Sequence, residues 1–364
     1  MGKLESMNNV KKRSSNIELL RILLIIMVIF LHFSNREMGG GLNYVVGNSI
    51  NEGIVRFLQG ISICAVDTFI IITGFFMCKK KEIDLTKPII LLISVVIFQL
   101  ITYILLVIFR FENFSLASVL IKLVPLNWYI MLYNVLYFMI PVLNKVLDKF
   151  NVNKNKIYII ILFTIFSIYP SLIDIVKGIF NIGDVPGLST ISILGNEHGY
   201  TIINFILLYF IGALIKKSMY TNKIILMLFF FISSLLITAL SYFTEAVWNY
   251  NNVFIIINAV CLFKIFINLN VSYNKLINFI SRSVLGIYIV HPYLIKPITK
   301  FVSLINIGNI SPIGLFSKIG LFIIIVFMAS FIIYLVSSFF INFIKLILFK
   351  VINYSNINTK IEIR

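Results

Sequence analysis

Three ionisable side chains interrupt an apolar run near the start of the chain. They are Glu18, Arg21 and His32, within NIELLRILLIIMVIFLHF (16–33). An Arg or Lys at the centre of a membrane span costs about 2.5–3.5 kcal/mol on insertion scales, so such groups face a protein interior or a wet cavity and mark function by default. Arginine suits a phosphate, a carboxylate or a polarised carbonyl. Histidine moves protons near neutral pH, or carries a covalent intermediate on nitrogen. In a helix, the eleven residues from Arg21 to His32 turn about three times and rise about 16 Å. Both side chains then point the same way, Arg21 near the inner surface and His32 toward the outer leaflet, along one wall of a polar cavity.

Three further stretches carry chemistry. In VDTFIIITGFF (66–76), Asp67 opens an apolar run and is placed to orient or protonate a histidine such as His32 across a helix interface. Thr73-Gly74 lets a neighbouring helix or ligand approach closely. In LNWYIMLYNVLYFMIPVLN (126–144), Trp128, Tyr129, Tyr133 and Tyr137 mark an aromatic belt, and Trp128 and Tyr129 also offer rings on which a sugar stacks. Asn134, in mid-span, needs a partner. In SRSVLGIYIVHPY (281–293), Arg282 stands at the cytoplasmic entrance and His291 lies deep in the span. Pro292 removes a backbone bond to the Tyr288 carbonyl and predicts a kink. There is no P-loop, GxSxG elbow or GxGxxG, which argues against ATP-driven transport and serine hydrolysis. No His, Cys or carboxylate cluster has metal spacing, and Cys64, Cys78 and Cys261 suggest no disulfide framework.

The elements that must position these residues are membrane helices. Of the 364 residues 60% are hydrophobic and 12% charged, with mean hydropathy +1.01, whereas a soluble domain is near a quarter charged. About ten spans are predicted, near 17–34, 61–77, 88–109, 127–144, 157–176, 201–216, 222–242, 251–268, 279–295 and 317–343. The net charge of +17 is distributed by loop and argues against a nucleic-acid partner. Most Lys and Arg fall in alternate loops: Lys3 to Arg13, Lys79 to Lys87, Lys145 to Lys156, Lys216 to Lys223, Lys264 to Arg282, and the segment after Lys345. This places both termini in the cytoplasm and predicts an uncleaved first span. The expected organisation is an all-α polytopic bundle with one membrane domain over 1–350 and a short cytoplasmic tail over 351–364. Two long outer loops, 35–60 with Gly39-Gly40-Gly41, and 177–200 with Gly183, Pro186, Gly187 and His198, can cover a site at the outer surface.

The residues carry a resemblance. Arg21 and His32, separated by ten residues in the first span, together with VDTFIIITGFF, NWYIMLYNVLYFMIPVLN and SVLGIYIVHPYLI in that order, resemble the acyltransferase 3 family of bacterial membrane proteins over residues 14–345. Thr73 stands where the family usually has Ser before Gly-Phe. Cys78-Lys79-Lys80-Lys81 replaces an Arg-rich stretch common in the family. The resemblance implies a ten-span O-acyltransferase of the bacterial cell membrane. Such an enzyme moves an acyl group, commonly acetyl from cytoplasmic acetyl-CoA, to a hydroxyl of a surface polysaccharide or its lipid-linked precursor. It puts His32 in the catalytic role, as base or as acyl carrier, with Asp67 supporting it and Arg21 beside the donor. Lys79, Lys80, Lys81 and Arg282 are then candidates to attract the donor's phosphates, and Trp128, Tyr129 and His291 to bind the acceptor. The competing expectation is a transporter or flippase of envelope glycans, which favours two related halves; none is visible in the sequence.

Overall fold

The computed structural model describes residues 14–183, 189, 191, 197–217, 222–302 and 304–361, and these are helical with no strand among them. The N-terminal basic residues through Arg13, and Asp184, Pro186 and Gly187 of the second long loop, lie outside the described residues. In chain order the helices are α1 (Ser15–Ser34), α2 (Gly41–Val45), α3 (Ser49–Ser62), α4 (Ala65–Met77), α5 (Thr86–Ile108), α6 (Leu116–Lys122) and α7 (Trp128–Lys149). They continue with α8 (Val152–Phe163), α9 (Tyr169–Phe180), α10 (Ile202–Lys217), α11 (Lys223–Leu240), α12 (Val253–Ile267), α13 (Lys275–Ile280), α14 (Val284–Phe301) and α15 (Pro312–Ile361).

Eight helical segments among the described residues are long and apolar enough to cross a membrane: Ser15–Ser34, Ile50–Met77, Thr86–Ile108, Trp128–Lys149, Val152–Phe180, Lys223–Leu240, Glu245–Ile267 and Pro312–Ile347. The expected spans at 201–216 and 279–295 coincide with α10 and α14. The first is a helix of 16 residues, and the second carries Pro292, Pro297 and Lys300. The long loop expected over 35–60 is mostly helix instead. Its face escaped the sequence reading because it is buried yet polar: Asn51, Arg56 and Gln59 of α3 are all buried. Residues 351–361, expected as a tail, continue α15, which meets no Gly or Pro after Gly320.

The chain forms two compact units, one comprising 1–31, 53–78 and 150–284, the other 32–52, 79–149 and 285–364. In the first unit, α4 and α10 pack backbone to backbone. A Cβ on Gly74 would lie 2.2 Å from the Tyr209 carbonyl oxygen, and one on Gly212 would lie 2.3 Å from that of Ile71. Small residues permit this approach, which apolar side chains alone do not hold together in lipid. Buried hydroxyls and amides join α11 to α12: the Ser233 hydroxyl donates to Asn258 Oδ1, and Asn258 Nδ2 donates to Ser234 Oγ at 3.0 Å.

Helix ends and breaks in this unit are met by asparagine. Asn16 Nδ2, at the start of α1, donates to the carbonyls of Phe266 (3.0 Å), Ile267 (3.2 Å) and Leu269 (3.2 Å), at the end of α12. The Phe266 carbonyl also accepts from the Leu269 amide at 3.0 Å, whereas the carbonyls of Ile267 and Leu269 lie past the last turn of the helix. Pro170 follows a π-helical turn over Thr164–Ile168 and cannot donate to Phe166; Asn251 Nδ2 donates there instead, at 3.3 Å.

The second unit contains the last turn of α1, α2, α5 to α7, α14 and α15. Here Gly286 of α14 sits under Tyr334 and Phe98, whose rings would lie 2.5 and 2.9 Å from a Cβ. Asn51 Nδ2 holds the short 3-10 turn at Leu304–Asn309 through the carbonyls of Ile307 (3.1 Å) and Gly308 (3.2 Å).

Gly74→Val tests the α4–α10 contact. The added atoms meet backbone and not a movable side chain, so the variant is expected to lose about 1–3 kcal/mol of stability, read as a lowered thermal midpoint in detergent. An unchanged midpoint would mean that the two backbones are not in contact.

Candidate functional site

The second unit gathers two histidines and a series of aromatic rings. The imidazoles of His32, in the last turn of α1, and His291, in α14, stack at 4.6 Å between centroids and 29° between planes. His291 is fully buried and His32 half-buried. His291 Nδ1 lies 2.9 Å from the Ile287 carbonyl oxygen, beside the Tyr288 carbonyl that Pro292 leaves without its helical donor. A carbonyl only accepts, so Nδ1 carries the proton, and in the neutral ring Nε2 presents the lone pair. Both His291 Nε2 and His32 Nδ1 are buried without a hydrogen-bond partner among the described residues.

The ring series continues from His291 to Tyr288 at 5.9 Å, from Tyr288 to Tyr129 at 5.1 Å, and from Tyr129 to Trp128 at 5.9 Å. Tyr129 is buried, and Trp128 is 37% exposed. The structure thus places His32, His291, Tyr129 and Trp128 in one array, with Tyr288 as the link. Sequence reasoning passed over Tyr288 except as the carbonyl beside Pro292. Its position three residues before His291 was the available signal, since helical residues three apart are neighbours.

Local structure fixes both ends of the array. The Gly39 amide donates to the His32 carbonyl at 3.0 Å. A Cβ on Gly39 would meet the Phe33 carbonyl oxygen at 2.3 Å, and one on Gly41 the Phe33 ring at 2.8 Å. Gly40 between them has φ +74°, a left-handed conformation that glycine adopts without penalty. The triple glycine is therefore a wedge folded onto the turn that carries His32. Phe33 in turn packs on Phe322 of α15 at 5.2 Å. At the other end, Asn127 Oδ1 accepts from the Ile130 amide at 3.1 Å and caps α7 just before Trp128.

Farther along α7 lies the lysine-rich segment. Lys80 Nζ donates to the Tyr137 hydroxyl at 3.1 Å, and Asn144 Nδ2 donates to the Lys80 carbonyl at 2.8 Å. Lys79 and Lys81, on either side, are exposed. Tyr137 is eight residues from Tyr129, about 12 Å along a helix axis.

The remaining candidates belong to the first unit. Arg21 pairs through one terminal nitrogen with both oxygens of Glu18, at 3.2 and 3.4 Å, and its side chain is 34% exposed. Glu18 is buried, so this pairing compensates a charge that would otherwise be costly. Asp67, in the first turn of α4, is fully buried. It faces Asn204 of α10, with no hydrogen bond to either carboxylate oxygen among the described residues. Arg282 is exposed, in a short 3-10 turn ahead of α14.

Apolar helices of spanning length, with ionisable groups buried on them, define a polytopic helical membrane protein, and the histidine pair is its candidate site. Compared with protein families, residues 14–334 match the model described as an acyltransferase domain, and the chain belongs to the acyltransferase 3 family of membrane acyltransferases. No curated protein and no solved structure matches the chain.

Two measurements test this geometry. Ring 15N NMR of the histidine-labelled protein is expected to show His291 as the Nδ1–H tautomer, assigned by its loss in His291→Gln; a protonated Nε2 with a bare Nδ1 would contradict the bond to Ile287. Gly39→Val is expected to raise amide hydrogen exchange severalfold in the peptide covering His32–Ser34, and unchanged exchange would mean that the wedge does not hold this turn.

Proposed function

We propose that this membrane acyltransferase is an O-acetyltransferase of the bacterial cell membrane. It takes acetyl from cytoplasmic acetyl-CoA and places it on a hydroxyl of a surface polysaccharide or its lipid-linked precursor. The observation that carries this reading is the half-buried His32, with its unpartnered ring nitrogen, stacked on His291 at the end of an aromatic series. A ten-span topology with both termini in the cytoplasm fits the distribution of basic residues. It sets Lys79, Lys80 and Lys81 on the inner face, where phosphates arrive, and Trp128 and Tyr129 toward the outer face, where a sugar ring stacks.

In the direct route, His32 takes the proton from the acceptor hydroxyl as its oxygen attacks the thioester carbonyl. The new C–O bond forms, the C–S bond breaks, and the coenzyme leaves as a thiolate that recovers the proton from His32. In the two-step route, the bare His32 nitrogen attacks the thioester carbonyl, the C–S bond breaks and the departing thiolate takes the ring's N–H proton; the acceptor hydroxyl then attacks the acyl-imidazole, the C–N bond breaks and the hydroxyl proton passes to the released imidazole. Arg21, about 16 Å along α1 from His32, meets the donor's arm as it enters the bundle, and Arg282 adds to the attraction for donor phosphates.

The test is the O-acetyl content of the host's surface polysaccharide, measured by proton NMR in a deletion strain complemented with wild-type protein or His32→Ala. Wild type is expected to restore the acetyl signals. Loss of a positioned base lowers turnover by about 10²–10⁴-fold, so His32→Ala is expected to restore almost none. Full restoration by His32→Ala overturns its catalytic role. A fall in the amount of glycan with unchanged acylation favours transport.

A further inference from the structure

The groups assigned above leave a buried carboxamide of the second unit unexplained. Asn134 lies in α7, 7% exposed, and neither its amide nitrogen nor its amide oxygen has a hydrogen-bond partner among the described residues. A carboxamide stranded in this way costs about 1–3 kcal/mol on the protein mutational scale, and in a lipid-embedded helix no bulk water relieves it. An apolar residue would fill the position at no such cost. The position along α7 is also informative. Tyr137, which holds Lys80, is three residues one way and therefore on the adjoining surface of the helix. Tyr129, which leads through Tyr288 and His291 to His32, is five residues the other way. Along the axis of α7, Asn134 lies between the ring that touches Lys80 and the ring that leads to the histidine pair, about 60° round the helix from the first and about 140° from the second.

We propose that Asn134 receives the pantetheine arm of the acyl-CoA donor, its carboxamide pairing with an amide of that arm. This rests on the donor reading above. A donor with its phosphates at Lys79–Lys81 and its thioester at His32 must thread the arm between them. The arm is apolar except for its two secondary amides, each offering one N–H and one C=O, and a dry passage leaves those groups unpaired unless the protein answers them. A neutral carboxamide supplies one donor function and one acceptor function to such a group, without the cost of burying a charge. The same pairing gives Asn134 the partners it lacks. It makes Asn134 a positioning residue that sets how far the thioester reaches, not one that takes part in acyl transfer.

The test uses the full-length protein in lipid nanodiscs and two probes: coenzyme A, and adenosine bisphosphate, which keeps the nucleotide end and lacks the arm. Wild type is expected to bind coenzyme A. Asn134→Leu is expected to weaken coenzyme A binding about tenfold, on the scale of one buried hydrogen-bonded pair. Its affinity for adenosine bisphosphate is expected to stay the same, and its thermal midpoint to stay level or rise as the stranded amide is removed. Asn134→Gln, which keeps the amide, is expected to retain more coenzyme A affinity than Asn134→Leu. Equal coenzyme A binding by wild type and Asn134→Leu overturns this inference and leaves the donor reading in place. A fall in the thermal midpoint of Asn134→Leu, or loss of both probes together, makes Asn134 a structural amide and also overturns it. Failure of the wild type to bind coenzyme A overturns the donor reading and this inference with it.

Discussion

A backbone carbonyl or side-chain amide inside an apolar bundle has no water to turn to, and that constraint shapes most of this structure. Asn16, from the start of α1, donates to three carbonyls at the open end of α12, so the first helix is anchored where another helix runs out of its own donors. Where Pro170 strands the Phe166 carbonyl, Asn251 supplies the missing donor. Where Pro292 strands the Tyr288 carbonyl, the His291 ring lies beside it with its Nδ1 proton directed to Ile287. The bond to Ile287 fixes which ring nitrogen of His291 is bare.

The same constraint shows what is not relieved. Asp67, Asn134, His32 Nδ1 and His291 Nε2 are buried and unmet among the described residues. Some other orphaned groups, such as the hydroxyls of Ser330 and Ser337, are small and isolated. The two histidine nitrogens differ from those in lying on stacked rings, backed by aromatic neighbours, with one ring partly open. Unmet polar groups gathered on stacked rings make this pair the candidate site of the second unit.

Much of this was legible in the sequence. The apolar runs announced spans, the spacing of Arg21 and His32 announced a helix with two ionisable groups on one side, and four blocks in order announced the family. Other features were hidden for physical reasons. The helix α3 reads as a loop because its buried side carries Asn51, Arg56 and Gln59; Arg56 gives its charge to the Ser241 carbonyl at 2.8 Å and to the Tyr242 ring at 4.5 Å. Gly39-Gly40-Gly41 looks like slack in a loop, and only the position of the Phe33 carbonyl turns it into a wedge. The grouping into two units joins segments far apart in the chain, which no local pattern records. The pairing of His32 with His291 is of that kind as well, since 259 positions separate them.

The helix α1 also constrains how this chain can change its length. Its first turn is tied to α12 by Asn16, and its last turn is pressed by the glycine wedge. Adding or removing one residue between those two ties would rotate His32 by about 100° relative to Asn16 and shift it by about 1.5 Å. No loop lies between the ties to absorb the change. An insertion or deletion in this interval therefore turns every α1 side chain beyond it onto a different face of the helix.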